Sequence, residues 1–407
     1  MTFAASYIRR LNHFNTEFIE TRALANLPAT TFPPGAICKA YSFLTTTQPP
    51  KSTAKYGIVS LGGNISSSDI QTFCQNANYP MPKVLVVPVN GAPIKSDPGG
   101  ANTENMLDVQ MVLQAWHYTY PTTPCDIVVG MARNIGTGIG DSANSLDQHD
   151  CTDISISWGA AEQRWGSSDR AYTEAVFKNI LLKGKTICAA SGDNSANNGM
   201  NVLSVDYPCG SLYVWGCGGT NLTAPNGVWQ AEKAWGDGRA GDEGGGGGFD
   251  PISPIPFWQK GVVPGSKRGC PDSSANADPK TGYQIYSDGG WTIVGGTSAV
   301  APLMCGYFGA LRAMGMDLSG FQAKLYEARL SCWRDVLTGS NGFAAASGWD
   351  AVTGLGSPIG PGIAAALVPN VPPSPPPPQP PTAEKWTITY SNGLAVGSTG
   401  TYSVLNA

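Results

Sequence analysis

Residues 295–302, Gly-Gly-Thr-Ser-Ala-Val-Ala-Pro, place one hydroxyl group directly before an apolar helix. A strand-like run at 291–294 leads into the glycine pair, Ser298 follows, and the helix is predicted to begin at about Ala301. Unpaired backbone N–H groups at a helix N-terminus stabilise developing negative charge. Ser298 is therefore a candidate nucleophile if a neighbour takes its proton. The alternative is an ordinary capping hydroxyl after a glycine turn.

The usual base for a nucleophilic serine is histidine, and the chain has three of them. His13 lies in a charged N-terminal segment, His117 near the end of a predicted helix, and His149 in a polar loop. None is flanked by the glycines that would present an imidazole at a strand–helix junction. We expect all three to be structural or solvated, so a base for Ser298 has to be sought among other residue types.

Two carboxylates occur four residues apart in a predicted helix that opens after a glycine pair. Glu104 and Asp108 share one face of this helix, and Asn102 or Thr103 is the predicted cap. On an exposed face the pair would only cost a few tenths of a kcal/mol. In a buried site the two acids could instead share a proton, which lets one orient the other and raises an apparent pKa. The spacing considered alone favours the exposed face.

A third acid follows a predicted buried strand at 185–191. Asp193 comes directly after Gly192 at the carboxyl end of that strand, the edge at which α/β proteins place their chemistry. The alternative is a turn aspartate.

Taken together, these motifs resemble the sedolisins, the serine-carboxyl peptidase family, whose fold resembles that of subtilisin. The serine motif, the Glu104-x-x-x-Asp108 pair and the tripeptide 191–193 each match a family motif. The resemblance runs in order from about Phe32 to Leu367 and includes further similar stretches at 154–159, 218–220, 244–249 and 271–279. Subtilisin-like enzymes share only the serine motif and need a histidine.

The resemblance implies a role for each of four residues. Ser298 would attack the peptide carbonyl, Glu104 would take and return its proton, and Asp108 would hold Glu104 in place. Asp193 would donate a hydrogen bond to the oxyanion. A carboxyl donates only while it is protonated, so this chemistry requires low pH or a strongly raised pKa. The expected substrates are proteins or peptides, and the chemistry itself needs no cofactor.

The resemblance also implies one structural Ca²⁺ ion near the end of the domain. Calcium takes six to eight oxygen ligands, carboxylates mixed with backbone carbonyls. By spacing alone this segment would be an ordinary Gly/Ser loop, and the resemblance reverses that interpretation. The ligands implied by the family pattern are the side chains of Asp335 and Asp350 and the carbonyls of Val336, Ala346 and Gly348.

The chain departs from the family pattern in two places. Sedolisins usually carry a long pro-domain, whereas residues 1–31 form a short extension with arginines at 9, 10 and 22 and no apolar run, unlike a secretory signal. Ser60 stands where some relatives have a glutamate that extends the acidic hydrogen-bond network, which leaves the pH optimum open.

Composition excludes several classes of protein. Charged residues make up 13% of the 407 residues, the net charge is −4, and no basic run occurs, which argues against nucleic-acid binding. No apolar run reaches membrane-spanning length. The ten cysteines show no CxxC pairing. Cys188 and Cys305 are predicted to be buried thiols, and Cys209 with Cys217 could bridge a loop.

Strands and helices alternate along the chain. Buried strands are predicted at 56–61, 84–89, 126–131, 153–158 and 185–190. A helix is predicted over 169–183, capped by Ser168 and stopped by Gly184. This alternation predicts an α/β fold with a mostly parallel central sheet and helices on both faces, and the resemblance makes it subtilisin-like.

The expected domain organisation has four parts. An N-terminal extension at 1–31 precedes a peptidase domain at 32–370, a proline-rich linker at 371–381 and a short tail at 382–407. The tail could form a strand pair, dock to an unknown partner or be disordered.

The sequence therefore predicts a serine-carboxyl endopeptidase that works at acidic pH. Two alternatives remain at this point. One is a catalytically quiet structural or binding protein on a peptidase scaffold, anchored by its proline-rich tail. The other is a histidine-dependent hydrolase of the subtilisin type.

Overall fold

The computed structural model describes residues 9–10, 30–239 and 242–369. Those up to Val368 belong to one compact unit, Met1–Val368. The predicted linker at 371–381, the tail at 382–407, His13 and most of the extension at 1–31 lie outside the described residues.

Strands and helices alternate over residues 36–190, and a series of strands follows over residues 206–294. The α-helices are α1 Ala36–Ala40, α2 Ser67–Ala77, α3 Ala101–Thr119, α4 Gly138–Gln148, α5 Ser167–Leu182, α6 Thr297–Met314, α7 Phe321–Glu327, α8 Arg329–Cys332 and α9 Gly360–Ala366. The strands are β1 Arg9–Arg10, β2 Lys55–Ser60, β3 Lys83–Pro88, β4 Asp126–Met131, β5 Asp153–Ile156, β6 Trp158–Ala161, β7 Thr186–Ala190, β8 Asp206–Tyr207, β9 Trp215–Thr223, β10 Ala231–Ala234, β11 Gly248–Pro254, β12 Lys267–Cys270, β13 Ser273–Asn276, β14 Tyr283–Ser287, β15 Gly290–Val294, β16 Trp333–Arg334 and β17 Ser357–Pro358.

The central sheet has the strand order β10-β9-β7-β5-β2-β4-β3, and β13 also pairs with β9. All of these pairs are parallel except β10 with β9. Parallel strands need crossover connections, and here helices provide several of them. The predicted α/β fold with a mostly parallel sheet is confirmed.

Successive residues of β2 pack against different helices. Tyr56 and Ile58 belong to the core cluster that contains α3 and α6, whereas Val59 belongs to the cluster that contains α4 and α5. This alternation is expected because neighbouring side chains of a strand point to opposite faces of its sheet. The predicted coverage of both faces by helices is therefore confirmed. In the described part of the chain, no helix is long and apolar enough to cross a membrane.

The predicted strands are present, with two corrections. The run predicted as a buried strand at 84–89 forms β3, which is only partly buried because it lies at the edge of the sheet. The run predicted at 153–158 breaks after Ile156, and Trp158 begins β6 in a separate small sheet. In that small sheet the backbone of Arg9–Arg10 pairs antiparallel with Trp158 and Gly159.

Two predicted helix caps are wrong. Helix α3 begins at Ala101, and Asn102 accepts hydrogen bonds from Asn64 N and Asp97 N instead of capping. Helix α5 begins at Ser167 rather than after Ser168, with Gly166 at the N-cap position. In α3 the cap side chain is Asp97, whose carboxylate accepts from the Ala101 N–H, so a residue outside the helix satisfies its first turn.

The helix after the serine motif begins earlier than predicted. Helix α6 starts at Thr297 rather than near Ala301, so Pro302 lies inside its second turn. The preceding strand, β15, is present as expected but pairs with β14 in a two-stranded hairpin instead of joining the central sheet.

Helices α3 and α6 pack closely against each other on one face of the sheet. At Gly306 of α6 an added Cβ would lie 2.8 Å from the Cβ of Ala115 and 3.0 Å from the carbonyl oxygen of Val112, both on α3. Only glycine allows this approach. The two helices that carry the candidate catalytic residues are therefore packed directly against each other.

All ten cysteines lie in the described part, and they are buried and unbridged. Cys209 and Cys217, which the sequence allowed to bridge a loop, are both free thiols in this structure. Cys209 instead contacts Cys270, whose thiol lies 3.5 Å from the Cys209 carbonyl oxygen. Cys188 and Cys305 are fully buried, as expected.

Candidate active site

Ser298 is the second residue of α6, as the sequence analysis expected of a residue at a helix N-terminus. Gly296 precedes the helix with φ 109°, a left-handed conformation that favours glycine. The Ser298 side chain is buried, and its Oγ has no hydrogen-bond partner among the described residues. Its hydroxyl is therefore not committed to a cap, and the capping alternative is not supported.

The acidic pair lies in the first two turns of α3. Glu104 and Asp108 are both fully buried, which rules out the exposed-face alternative. Burial raises the pKa of Asp108 well above its usual range, because the charged form loses its hydration. A hydrogen bond from the Ser157 hydroxyl opposes this shift, since it stabilises the ionised carboxylate.

One side chain connects the acidic pair to the serine motif. The Oγ of Ser157 lies 2.6 Å from Asp108 Oδ1 and 3.2 Å from the backbone carbonyl oxygen of Ser298. All three residues are fully buried. The Ser157 hydroxyl thus contacts both Asp108 and the backbone of Ser298.

Asp193 reaches the same segment from the other side. It follows β7, and its Oδ1 accepts hydrogen bonds from the Thr297 N–H at 2.7 Å and the Thr297 hydroxyl at 2.8 Å. The Thr297 hydroxyl also accepts from the Gly192 N–H at 3.1 Å. Asp193 is therefore fixed to the residue directly before Ser298.

A second buried acid lies beside Asp193. A Cβ added at Gly192 would be 2.9 Å from Asp206 Oδ2, and the same oxygen accepts from Asn198 Nδ2 at 2.5 Å. Burial raises the pKa of Asp206 well above its usual range, and the nearby charge of Asp193 raises it further, while the Asn198 hydrogen bond lowers it. Two buried carboxyls that interact through their charges resist carrying two negative charges.

No role was predicted from the sequence for Ser157, Thr297, Asn198 or Asp206. Ser157 and Thr297 were visible only as members of motifs that resemble the family. For Asp206 no sequence signal was available, because its position beside Gly192 depends on how the loop between β7 and β8 folds.

A cleft of about 530 Å³ opens beside Asp193. Asn194, the next residue along the chain, lines it together with Asp237, Asp242 and Asp278. Lys233 and Lys280 also line this cleft, so its charged lining is mixed.

Neither described histidine is near the serine motif in the contacts that the structure gives. His117 stacks on Tyr79 near the C-terminal end of α3, with Nδ1 3.3 Å from the Tyr120 carbonyl oxygen. Burial lowers the pKa of His117 to about 4. His149 follows α4, and its Nδ1 lies 2.8 Å from the Ser145 carbonyl oxygen. Both have structural contacts, as expected.

The predicted calcium ligands all lie in the loop between β16 and β17. Asp335 Oδ2 accepts from Gly348 N at 2.8 Å, and Asp350 Oδ2 accepts from Ala346 N at 2.9 Å. Within the described residues, the carbonyl oxygens of Val336, Ala346 and Gly348 accept no backbone hydrogen bond. Uncommitted carbonyls together with two carboxylates form a donor set suited to Ca²⁺.

Asp350 is already heavily hydrogen-bonded. It also accepts from the backbone of Val352 and Thr353, and these hydrogen bonds only partly oppose the rise in pKa that burial causes. Among the described residues no cluster of three or more His, Cys, Asp or Glu side chains could hold a metal.

Comparison with known proteins identifies the family. The chain is 33% identical over 381 residues to kumamolisin from Bacillus sp. (strain MN-32), covering 86% of this chain and 66% of that protein. The chain belongs to the sedolisin family. No protein-family model matches the chain.

Two further comparisons extend this finding. Tripeptidyl-peptidase 1 from Canis lupus familiaris is 28% identical over 247 residues, covering 52% of this chain and 42% of that protein. The solved structure of Pseudomonas sedolisin (serine-carboxyl proteinase) complexed with pseudo-iodotyrostatin has a TM-score of 0.73 at 24% identity, covering 83% of this chain and 98% of that one. The subtilisin-like fold of the family is confirmed. The chain spans less than two thirds of the length of both curated relatives.

Proposed function

We propose that this protein is a serine-carboxyl peptidase that hydrolyses proteins or peptides at acidic pH. One observation carries the proposal: the Ser157 hydroxyl lies within hydrogen-bond distance of both Asp108 and the Ser298 backbone, so the acidic pair and the serine motif meet in one buried place. Membership of the sedolisin family supports the same conclusion.

In the proposed reaction Ser298 is the nucleophile. Glu104 accepts the Ser298 proton as the hydroxyl attacks the peptide carbonyl, and then returns it to the leaving amine. Asp108, one helical turn further along the same face of α3, holds Glu104 in place. Burial of both acids disfavours the state in which both are ionised, so the pair retains one proton. Such a pair is suited to act as a base that exchanges a proton at low pH.

Asp193 is the proposed oxyanion donor. Because Thr297 donates two hydrogen bonds to Oδ1, we assign the proton of Asp193 to Oδ2. The neighbouring carboxyl of Asp206 favours this protonated state, since ionisation of both acids is opposed. A donor held in a buried site stabilises the tetrahedral intermediate without reorganisation.

We further propose that cleavage is internal to the substrate chain. The family also contains tripeptidyl-peptidases, so the two modes have to be distinguished by experiment. Peptides with an acetylated N-terminus are the appropriate probe. An endopeptidase cleaves them as readily as the free peptides, whereas release of tripeptides only from unblocked peptides would contradict the endopeptidase mode.

For calcium, we propose one structural ion in the loop between β16 and β17. Asp335 and Asp350 would hold it with their side chains, and Val336, Ala346 and Gly348 with their carbonyls. A bound Ca²⁺ would supply stability to this loop and take no part in the chemistry.

The direct test of the proposed function is Ser298→Ala. We expect kcat/KM for an acid-denatured protein or a peptide to fall about 10⁴- to 10⁶-fold, with unchanged circular dichroism and Tm. The control replaces His13, His117 and His149 together and should retain activity at acidic pH. Wild-type turnover in the serine variant would refute the proposal. Loss of activity in a folded histidine-free variant would favour the subtilisin-type alternative, and no acid hydrolysis by the wild type would favour a binding protein.

A further inference from the structure

The serine motif contains a proline that leaves one carbonyl of the helix without its usual donor. In an α-helix the carbonyl of Ser298 would accept from the N–H four residues later. That residue is Pro302, which has no N–H and lies inside α6. Ser298 is fully buried, so its carbonyl oxygen needs another donor, because an unsatisfied buried carbonyl is costly.

Ser157 supplies that donor. Its Oγ is 3.2 Å from the Ser298 carbonyl oxygen and 2.6 Å from Asp108 Oδ1. A serine hydroxyl has one hydrogen to donate and two lone pairs to accept with. The partner of that hydrogen therefore depends on whether Asp108 carries a proton.

We propose that Ser157 is a positioning residue that couples the protonation state of Asp108 to the backbone of Ser298. When Asp108 is ionised, the hydroxyl hydrogen of Ser157 is donated to Asp108 Oδ1. When Asp108 is protonated, it donates to Ser157 Oγ, and Ser157 turns its own hydrogen to the Ser298 carbonyl. The catalytic effect of this coupling rests on the proposed function. The hydrogen bonds of Ser157 do not depend on that function.

The titratable neighbours of Asp108 are few. Glu104 lies one turn away on α3, and Cys305 faces Asp108 from α6. Cys305 remains a neutral thiol because burial raises its pKa well above the usual range. From the segment between β5 and β6, the side chain that reaches Asp108 is that of Ser157. The acid limb of the pH profile therefore reports the Glu104/Asp108 pair.

The first experiment measures kcat/KM against pH for Ser157→Ala, Ser157→Thr and the control Ser155→Ala. Ser155 lies in β5 and is equally buried, but its hydroxyl has no hydrogen-bond partner among the described residues. Removing a donor to an ionised carboxylate raises the pKa of that carboxyl, so the acid limb of Ser157→Ala should move about one pH unit upward, with kcat/KM about 10- to 100-fold lower. Ser157→Thr should restore both, and Ser155→Ala should keep the wild-type profile. A wild-type acid limb in folded Ser157→Ala would overturn the proposal.

The second experiment does not depend on activity. Thermal unfolding is compared for Ser157→Ala, Pro302→Ala and the double variant, all in the Ser298→Ala background. Pro302→Ala restores an N–H for the Ser298 carbonyl, so the Tm loss caused by Ser157→Ala should be smaller in its presence. Equal Tm losses in both backgrounds would overturn the coupling to the backbone. Because the nucleophile is already absent, this result stands whether or not the protein proves to be a peptidase.

Discussion

At the scale of single residues, small hydroxyl side chains hold the acids of the candidate site. Ser157 contacts Asp108, and Thr297 contacts Asp193 with both its N–H and its hydroxyl. Hydrogen bonds to carboxyl groups are strong in a buried site, where water does not compete. The proposed catalytic acids are therefore oriented by residues that sit within the chemical motifs themselves.

The role of Asp193 can be tested by exchanging its acid for other groups. Asp193→Ala removes the proposed oxyanion donor and should cost about 2.7–4 kcal/mol of transition-state stabilisation, measured as kcat/KM at acidic pH. Asp193→Asn keeps a donor that needs no proton. It should lower the rate less than alanine does and should weaken the fall in activity towards alkaline pH, because the amide does not titrate.

The two variants have to be compared at equal stability, since Thr297 loses its partner in Asp193→Ala. Matching melting curves for folded enzyme provide that control. If Asp193→Asn shows the same alkaline fall as the wild type, Asp193 is not the group whose deprotonation limits activity.

At the scale of elements, the sequence was informative where its patterns are local. The alternation of strands and helices predicted the parallel sheet, and the i,i+4 spacing of Glu104 and Asp108 predicted a shared helix face. Burial of that face could not be predicted from the spacing, since it depends on α6 packing against α3 at Gly306.

Predictions from the sequence were wrong where contacts between distant parts of the chain decide the structure. The start of α6 was predicted near Ala301, in the apolar run that follows Ser298. In the structure α6 begins at Thr297, so Pro302 lies inside the helix. The hydroxyl of Ser157, 145 positions before Pro302 in the chain, replaces the missing N–H as donor to the Ser298 carbonyl. Asn102 was predicted to cap α3, but it holds Asn64 and Asp97 in neighbouring loops instead.

The loop between β16 and β17 gives the prediction for calcium. A chelator should lower the Tm of the wild type by several degrees, because an ion bound only by the folded state stabilises it. Asp350→Ala removes native hydrogen bonds as well as a proposed ligand, so its lower Tm alone is not diagnostic. Asp335→Ala, at an exposed position, should lower the Tm and abolish the effect of the chelator. An unchanged wild-type melting curve after prolonged chelation would contradict the calcium proposal.

At the scale of the whole molecule, the described residues include a group of buried carboxyls around one partly buried arginine. Arg170 forms ion pairs with both Glu162 and Asp250, and Glu174 is also close to it. Burial raises the pKa of Glu162 to about 8, the charge of Asp250 adds to this shift, and Arg170 opposes it. The cluster therefore favours the protonated form of Glu162 in the folded state.

The resulting pH dependence of stability has a definite sign. Glu162 binds its proton more tightly in the folded state, with a pKa of about 8, than in the unfolded chain, where the ordinary value is 4.5. Its contribution is therefore fully present below about pH 4.5 and is lost as the pH rises towards 8. Glu162→Gln should flatten the decline in the free energy of unfolding between these pH values, as measured by urea denaturation.

His117 provides an internal check, because its shift has the opposite sign. Its folded-state pKa of about 4 lies below the ordinary 6.5, so its contribution is lost as the pH falls from 6.5 to 4. A Glu162→Gln variant whose stability still declines as steeply as the wild type above pH 5 would show that the Arg170 cluster is not responsible.

The most direct test of the account is the pH profile of wild-type kcat/KM on a peptide substrate, measured from about pH 3 to about pH 9. The proposed mechanism needs Asp193 protonated and the Glu104/Asp108 pair able to take one proton. Activity should therefore be highest on the acidic side and fall towards alkaline pH. Because Ser60 stands where some relatives have a glutamate, the pH of maximum activity stays open. The direction in which activity falls does not depend on Ser60. Activity that rises steadily from about pH 5 to about pH 9 would contradict the carboxyl mechanism and would require a different base.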